Sequence, residues 1–387
     1  MQLDAFIPTP PAWRLDWDGL DEAFDWVRDL RDCPQSPVWH AEGNVWIHTR
    51  MVLEALIEMP AWRALPARER AIVFLAALLH DVSKPATTRT EPDGHISARG
   101  HSTQGSVRAR EILWRLEVPF ADREHVCHLI GYHQVPFFLV DKPDAEHRLV
   151  SMSQVVRCDL LALVTEADAR GRICADQGRL LDQIELFGEL CRDSGCWQTP
   201  WPFASDHARF QYFRSAGRSA GQGGGRSLHA PAHDDTRLEV TVMSGLPGAG
   251  KDHWIATHGG DLPVVSLDAI RDEQGVDPAD DQGSVIREAY ERARQHLRSA
   301  TPFIWNATNV SRVLRQRIVD FVADYRARVR IVYVEAPAAL LLDQNRQRAQ
   351  FVPARVLDKL IRRWTVPTVR EAHTLVLAVA EADPPTP

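Results

Sequence analysis

What most constrains this 387-residue chain is a change of apolar period across one short stretch, "RSAGRSAGQGGGRS", at residues 214–227. Upstream, apolar residues recur at helical spacing in "TRMVLEALIEM", "ERAIVFLAALLHD", "VRAREILWRL", "REHVCHLIGYH" and "VVRCDLLALVTEAD". Downstream, "LEVTVMSG", "PVVSLD", "PFIWNATN" and "RVRIVYVEA" are short apolar runs separated by helical stretches, the alternation of a parallel sheet. The chain is therefore predicted to be multidomain. An all-α domain is expected over 1–204, a flexible Gly/Arg-rich linker over 205–237 and an α/β domain over 238–387.

Composition narrows the function classes. With 44% apolar and 25% charged residues, no apolar run approaches the roughly 20 residues of a membrane span, so no membrane role is expected. The opening "MQLDAFIPTPPAWRLDWDG" lacks the basic end and apolar core of a secretory leader, and a cytoplasmic location is expected. Six cysteines without a CxxC pair argue against a disulfide framework or a zinc knuckle. The net charge of −7 argues against indiscriminate polyanion binding. Only four of the 45 basic residues are lysines, so Lys84 and Lys251, each beside a motif, need a reason.

In the first half, His80 and Asp81 close the apolar segment "FLAALLHDVSKP". Adjacent helical residues point about 100° apart, so they share an ion only at a helix end, and other helices must supply further ligands. His48 and Asp168 complete a His-His-Asp-Asp set. Imidazole with carboxylate suits a hydrolytic transition-metal ion that keeps open positions for water. The substrate class is then a phosphate ester or anhydride.

These residues resemble the HD phosphohydrolase superfamily. "WHAEGNVWIHT", "LLHDVSKP", "GHSTQGSVRAREIL" and "GYHQVP" are similar to the subgroup found beside bacterial tRNA nucleotidyltransferases. The resemblance implies that His101 and His133 add a second metal or phosphate contacts and that Lys84 holds a phosphate oxygen. It also leads to an expected Asp where Asn44 stands.

In the second half, "LEVTVMSGLPGAGKD" reads as strand, glycine-rich turn and helix start, the context of a P-loop. Gly245, Gly248 and Gly250 let backbone amides face phosphate, and Lys251 reaches the outer phosphates. Asp252 replaces the usual Ser or Thr; its carboxylate meets magnesium directly or through water, and the site is expected to work. "VSLDAIRD" places Asp268 and Arg271 to deprotonate an acceptor hydroxyl and to position an anionic acceptor. A helix-capping aspartate with a solvated arginine is the plainer reading. No base-stacking motif is visible.

This half resembles phage-type polynucleotide kinases, whose DxxR pairs a catalytic Asp with a substrate-binding Arg. "DQNRQRAQFVPARVLDKLIRRW" is similar to that family's lid, which implies that Arg346 contacts ATP and Arg348 clamps the transferring phosphoryl group. Both halves together resemble the bacterial HD-Pnk family, in which "GxPGxGKD" is a P-loop form. The resemblance implies removal of 2',3'-cyclic phosphate or 3'-phosphate by the HD domain and phosphorylation of 5'-OH ends by the kinase. It further implies ATP and Mg²⁺ at the kinase, a divalent ion among Mn, Co, Ni, Zn, Cu and Fe at the HD site, RNA or DNA ends as partners, and an RNA ligase acting downstream. From the residues alone, two alternatives stay open: a small-molecule kinase fused to an HD nucleotidase, and a nucleotide-dependent switch on the HD domain.

Overall fold

The computed structural model describes residues 3–218, 228, 231–277, 280–347 and 351–380. These form two compact units, Met1–Trp201 and Pro202–Pro387.

The first unit is helical. Asn44 caps α1 (Val45–Glu58) by accepting the Ile47 amide at 2.9 Å. Asn caps as well as Asp, so the expected carboxylate is not needed for this role. Helix α2 (Ala67–Leu79) is buried without interruption from Ile72 to Leu79 and packs on α1, α4 (Phe120–Tyr132) and α5 (Cys158–Arg170). A central helix covered on all sides explains why its sequence is apolar around the whole circumference. Helices α3 (His101–Arg115) and α6 (Gln177–Asp193) complete the shell. A short antiparallel hairpin pairs Arg89–Thr90 with Ile96–Ser97, turned by Gly94 at φ 83°, where only helices were expected.

The second unit begins earlier than the period change suggests. Residues Asp206–Arg218 form α7, which buries Ala208, Phe210 and Tyr212. Arg209 donates to the carbonyls of Val369 and His373, and Arg214 binds Asp320 and Asp324. The linker expected from 205 therefore does not hold over 206–218. Its few apolar residues gain burial from a sheet far along the chain, which no local window reveals. The core of that run, 219–227, lies outside the described residues.

Strands β1 (Leu238–Ser244), β2 (Val264–Ser266), β3 (Phe303–Asn306), β4 (Ala327–Glu335) and β5 (Thr374–Val379) form a parallel sheet in the order β2-β3-β1-β4-β5. The four expected strands are present, and β5 adds an edge strand. Helices α8 (Lys251–His258), α9 (Leu267–Gln274), α10 (Gly283–Arg298), α11 (Arg312–Asp324), α12 (Ala338–Gln347) and α13 (Ala354–Ile361) alternate with the strands. Because β1 lies between β3 and β4, the connection leaving it starts at the point where strand order reverses, the usual ligand crevice of such sheets. Among the described residues, no helix is long and apolar enough to cross a membrane.

Candidate metal centre and phosphoryl-transfer cavity

Helix α2 ends at Leu79, with His80 as its C-cap, so the His80–Asp81 pair leaves the helix where both side chains turn into the interior. The close approach of α5 to α1 supplies the next candidate ligands. A Cβ on Gly171 would lie 2.7 Å from the Val52 amide nitrogen, so glycine is what lets the end of α5 press Asp168 toward His48.

The four histidines share one arrangement. Nδ1 of His80, His101 and His133 lies 2.7 Å from the carbonyls of Ala77, Ala98 and Ile130, and Nδ1 of His48 lies 2.9 Å from Glu42 Oε1. Carbonyl and carboxylate oxygens only accept, so each Nδ1 carries the proton and each Nε2 turns a lone pair inward. The ligand atoms of His48, His80 and Asp168 fall within 4.8 Å of one another, as do those of Asp81, His101 and His133. Asp81 joins the two groups: Oδ2 is 3.1 Å from His80 Nε2, and Oδ1 is 3.5 Å from His101 Nε2. His133 Nε2 is buried with no hydrogen-bond partner among the described residues. Inward lone pairs and buried carboxylates without enough donors are the chemistry of a divalent-cation site, and the residues fit such an ion.

Electrostatics agrees. Burial opposes the charge on Asp81 and Asp168, but His80 and Lys84 hold the first, and Arg172 and His48 the second, well below the ordinary carboxyl range. Burial, aided by His101 and His80, pushes His133 down to about 3 and keeps it a neutral donor of electrons. Burial works against charge on His48 too, but Asp168 and Glu42 outweigh it and raise its pKa, so at His48 a cation competes with a proton on Nε2 shared with Asp168. For Glu42, hydrogen bonds from His40, His48 and the Ile173 amide likewise overcome burial and keep it ionised.

All seven residues expected at this site therefore converge, with Lys84 Nζ 2.7 Å from Asp81 Oδ2. Arg172 was not foreseen. It grips Asp168 through Nε at 2.9 Å and Nη2 at 2.6 Å, and the only signal was its helical spacing of four from that aspartate.

In the second unit, a Cβ on Gly245 would meet the Val334 carbonyl oxygen at 2.3 Å, and Gly250 caps α8 at φ 97°. Lys251 Nζ folds back onto the carbonyls of Gly245 and Leu246, each at 3.0 Å. Asp252 accepts a 2.8 Å hydrogen bond from Asn306. Ser266, not Asp268, caps α9, so the capping explanation for Asp268 does not apply. Asp268 instead meets Arg271 at 2.5 Å, and Arg271 Nε is held by Gln282 at 2.8 Å. Gly248, Gly250, Lys251, Asp252, Asp268 and Arg271 line one cavity of about 890 Å³.

The expected lid is only partly in place. Arg346 pairs with Asp343 on the exposed face of α12 and does not line this cavity, and Arg348 lies outside the described residues. Phe351 and Arg355 line it instead.

Residues 45–167 match the HD domain family, and residues 240–367 match a family described as an AAA domain. A multifunctional CCA protein of Xanthomonas oryzae is 30% identical over 188 residues, which cover 44% of this chain and 40% of that protein. An A-adding tRNA nucleotidyltransferase of Deinococcus radiodurans is 38% identical over 116 residues, covering 29% of this chain and 26% of its own length. The chain thus spans less than half the length of these curated relatives. An unliganded sugar kinase from Janibacter matches 37% of this chain and 85% of its own at 18% identity, with a TM-score of 0.29. The chain thus carries a helical domain that matches the HD family, followed by an α/β domain with a P-loop and a parallel sheet that matches the AAA description.

Proposed function

We propose that this protein heals nucleic-acid ends, the HD unit removing a 2',3'-cyclic phosphate or 3'-phosphate and the P-loop unit phosphorylating a 5'-OH with ATP. The observation that carries the reading is the convergence of Asp268 and Arg271 with Lys251 and Asp252 on one cavity, because a nucleotide switch needs no acceptor base. At about 890 Å³ the cavity has the size of a nucleotide site with room for an acceptor.

Within it, the amides at the start of α8 face the phosphates and Lys251 swings from the loop carbonyls to the outer phosphates. Asp252 would meet the magnesium ion, directly or through water. Asp268 takes the proton of the acceptor hydroxyl, and Arg271, steadied by Gln282, holds the acceptor's own phosphate. In the HD unit, His48, His80 and Asp168 would hold one divalent ion, and Asp81, His101 and His133 would hold a second. Such ions, when bound, acidify water and polarise a phosphoryl oxygen. Lys84 orients that oxygen from beside Asp81, and Arg172 keeps Asp168 ionised and in place. The partners of this reading are RNA or DNA ends, with an RNA ligase downstream.

End analysis by mass spectrometry tests it. A short RNA bearing 5'-OH and 2',3'-cyclic phosphate is incubated with ATP, magnesium and a transition-metal panel. A 5'-phosphate should be gained and lost again with Lys251→Ala, and the cyclic phosphate should be opened unless Asp81→Ala is present. Unchanged ends with metal-loaded, ATP-binding protein would overturn the reading in favour of a small-molecule kinase.

A further inference from the structure

The candidate metal centre borders, through Lys84 and His101, a cavity of about 430 Å³ whose walls differ in kind. Lys84, His101 and Arg172 stand on the side of the cluster. Two aromatic side chains from distant turns, Trp39 and Phe138, line the same cavity and remain 50% and 45% exposed. Two large rings left open to water around one cavity with a cationic floor form an apolar patch of the kind that marks a ligand-binding groove.

A second, independent observation points to a ligand. Gln35 lines this cavity, is 8% exposed, and its Oε1 lies 2.5 Å from Lys84 Nζ. An ammonium only donates, so the amide oxygen must face it and the NH₂ group must face away. That nitrogen has no hydrogen-bond partner among the described residues. A buried donor left unmade costs about as much as a hydrogen bond contributes, and an oxygen-rich ligand in the cavity would satisfy it.

We infer that this cavity recognises a nucleotide as a unit: Gln35 Nε2 and Lys84 Nζ donate to its phosphate or adjacent sugar oxygens, and Trp39 and Phe138 take the faces of its base. The inference rests on the phosphoesterase reading of this unit and adds that the substrate is read through its base, so Trp39 and Phe138 are specificity residues and Gln35 a binding residue. Stacking on open aromatic faces serves any base, which makes the site general for nucleotides and selective against phosphate esters without a base. The platform escapes a sequence search because its two aromatics lie about a hundred residues apart in turns and belong to no motif.

The test is isothermal titration of the metal-loaded full chain without ATP. It uses two probes that are not hydrolysed: a uridine 3'-methylenephosphonate and the same sugar phosphonate without its base. The uridine probe should bind about ten-fold tighter. Trp39→Ala should erase that difference, Trp39→Phe should restore most of it, and Gln35→Ala should weaken both probes alike. Equal affinities in the unchanged protein, or equal losses for both probes with Trp39→Ala, would overturn the inference. A trinucleotide with the same 3' group separates the sources: binding as tight as the mononucleotide assigns a strand end, much weaker binding a free nucleotide, and both carry base recognition. If end analysis shows no phosphate-ester cleavage, the hydrolase reading fails, and the titration still decides base recognition by itself.

Discussion

The side-chain amide of Asn306, last residue of β3, donates a 2.8 Å hydrogen bond to Oδ1 of Asp252 in the first turn of α8. The bond ties the P-loop helix to the neighbouring strand and fixes a carboxylate where a Walker A loop carries a hydroxyl. Removing one hydrogen bond to a charged group corresponds to roughly ten-fold in affinity. Asn306→Ala should therefore raise KM for magnesium-ATP by about that factor. Asp252→Ala should cost more, and Asp252→Ser should recover part of the loss at high magnesium. Transfer kinetics across a magnesium series check this; an unchanged KM in Asn306→Ala would remove the role of the pair.

Asp268→Asn keeps the shape of the side chain and removes its capacity to take a proton. Phosphoryl transfer should fall by at least about 100-fold while ATP binding, followed by calorimetry, stays within two-fold. Substantial transfer in this variant rejects Asp268 as the base.

Glu42 touches no ion in the proposed centre, yet it receives His48 Nδ1 at 2.9 Å and the Ile173 amide at 2.8 Å. Partners of this kind set the tautomer and orientation of a ligating imidazole, and their loss lowers metal affinity by roughly 10- to 100-fold. Glu42→Ala should show that drop in competition against a chelator, and Glu42→Gln a smaller one.

Arg315 is fully buried in the second unit. It meets Glu371 at 2.7 and 3.1 Å and donates to the carbonyls of Asn309 and Thr365, joining the loop after β3 to the segment before β5. Arg315→Ala leaves Glu371 charged without its partner, at a cost of about 3–5 kcal/mol. Urea unfolding should show it as a lower midpoint for the second unit, with the helical unit's transition unmoved.

His373 ties the β-sheet to α7. The Val329 amide donates to its Nδ1 at 3.0 Å, and its Nε2 lies 3.0 Å from His207 Nδ1. Burial, with His207 and Arg328 adding, pushes its pKa down to about 3. Above about 6.5 the imidazole is neutral in both folded and unfolded chains, and its contribution to stability is complete. Between about 6.5 and 3 the unfolded chain binds a proton that the folded one does not, so stability falls as pH drops. His373→Asn places an amide oxygen where Nδ1 accepts and removes the titration. The second unit of this variant should lose less stability between pH 7 and pH 4.5 than that of the unchanged protein, and an identical loss would show that His373 does not supply the proton.

Much was legible in the sequence because it is local. A helix or a strand writes its period into consecutive residues, and a P-loop needs glycines and lysine at fixed steps, so the two architectures, four of five strands and the loop from Gly245 to Asp252 could be read directly. The candidate cluster of the helical unit was legible for a related reason: His and Asp interrupting an apolar helix are costly unless something binds them. Tertiary packing alone decided the rest. It divided the candidate ligands into two groups with Asp81 between them and brought up Arg172 to hold Asp168. It ordered 206–218 as a helix against a sheet completed more than a hundred residues later, and it set Trp39, Phe138 and Gln35 around one cavity. Each of these depends on residues far apart in the chain meeting in space, and distance along the sequence carries no record of that.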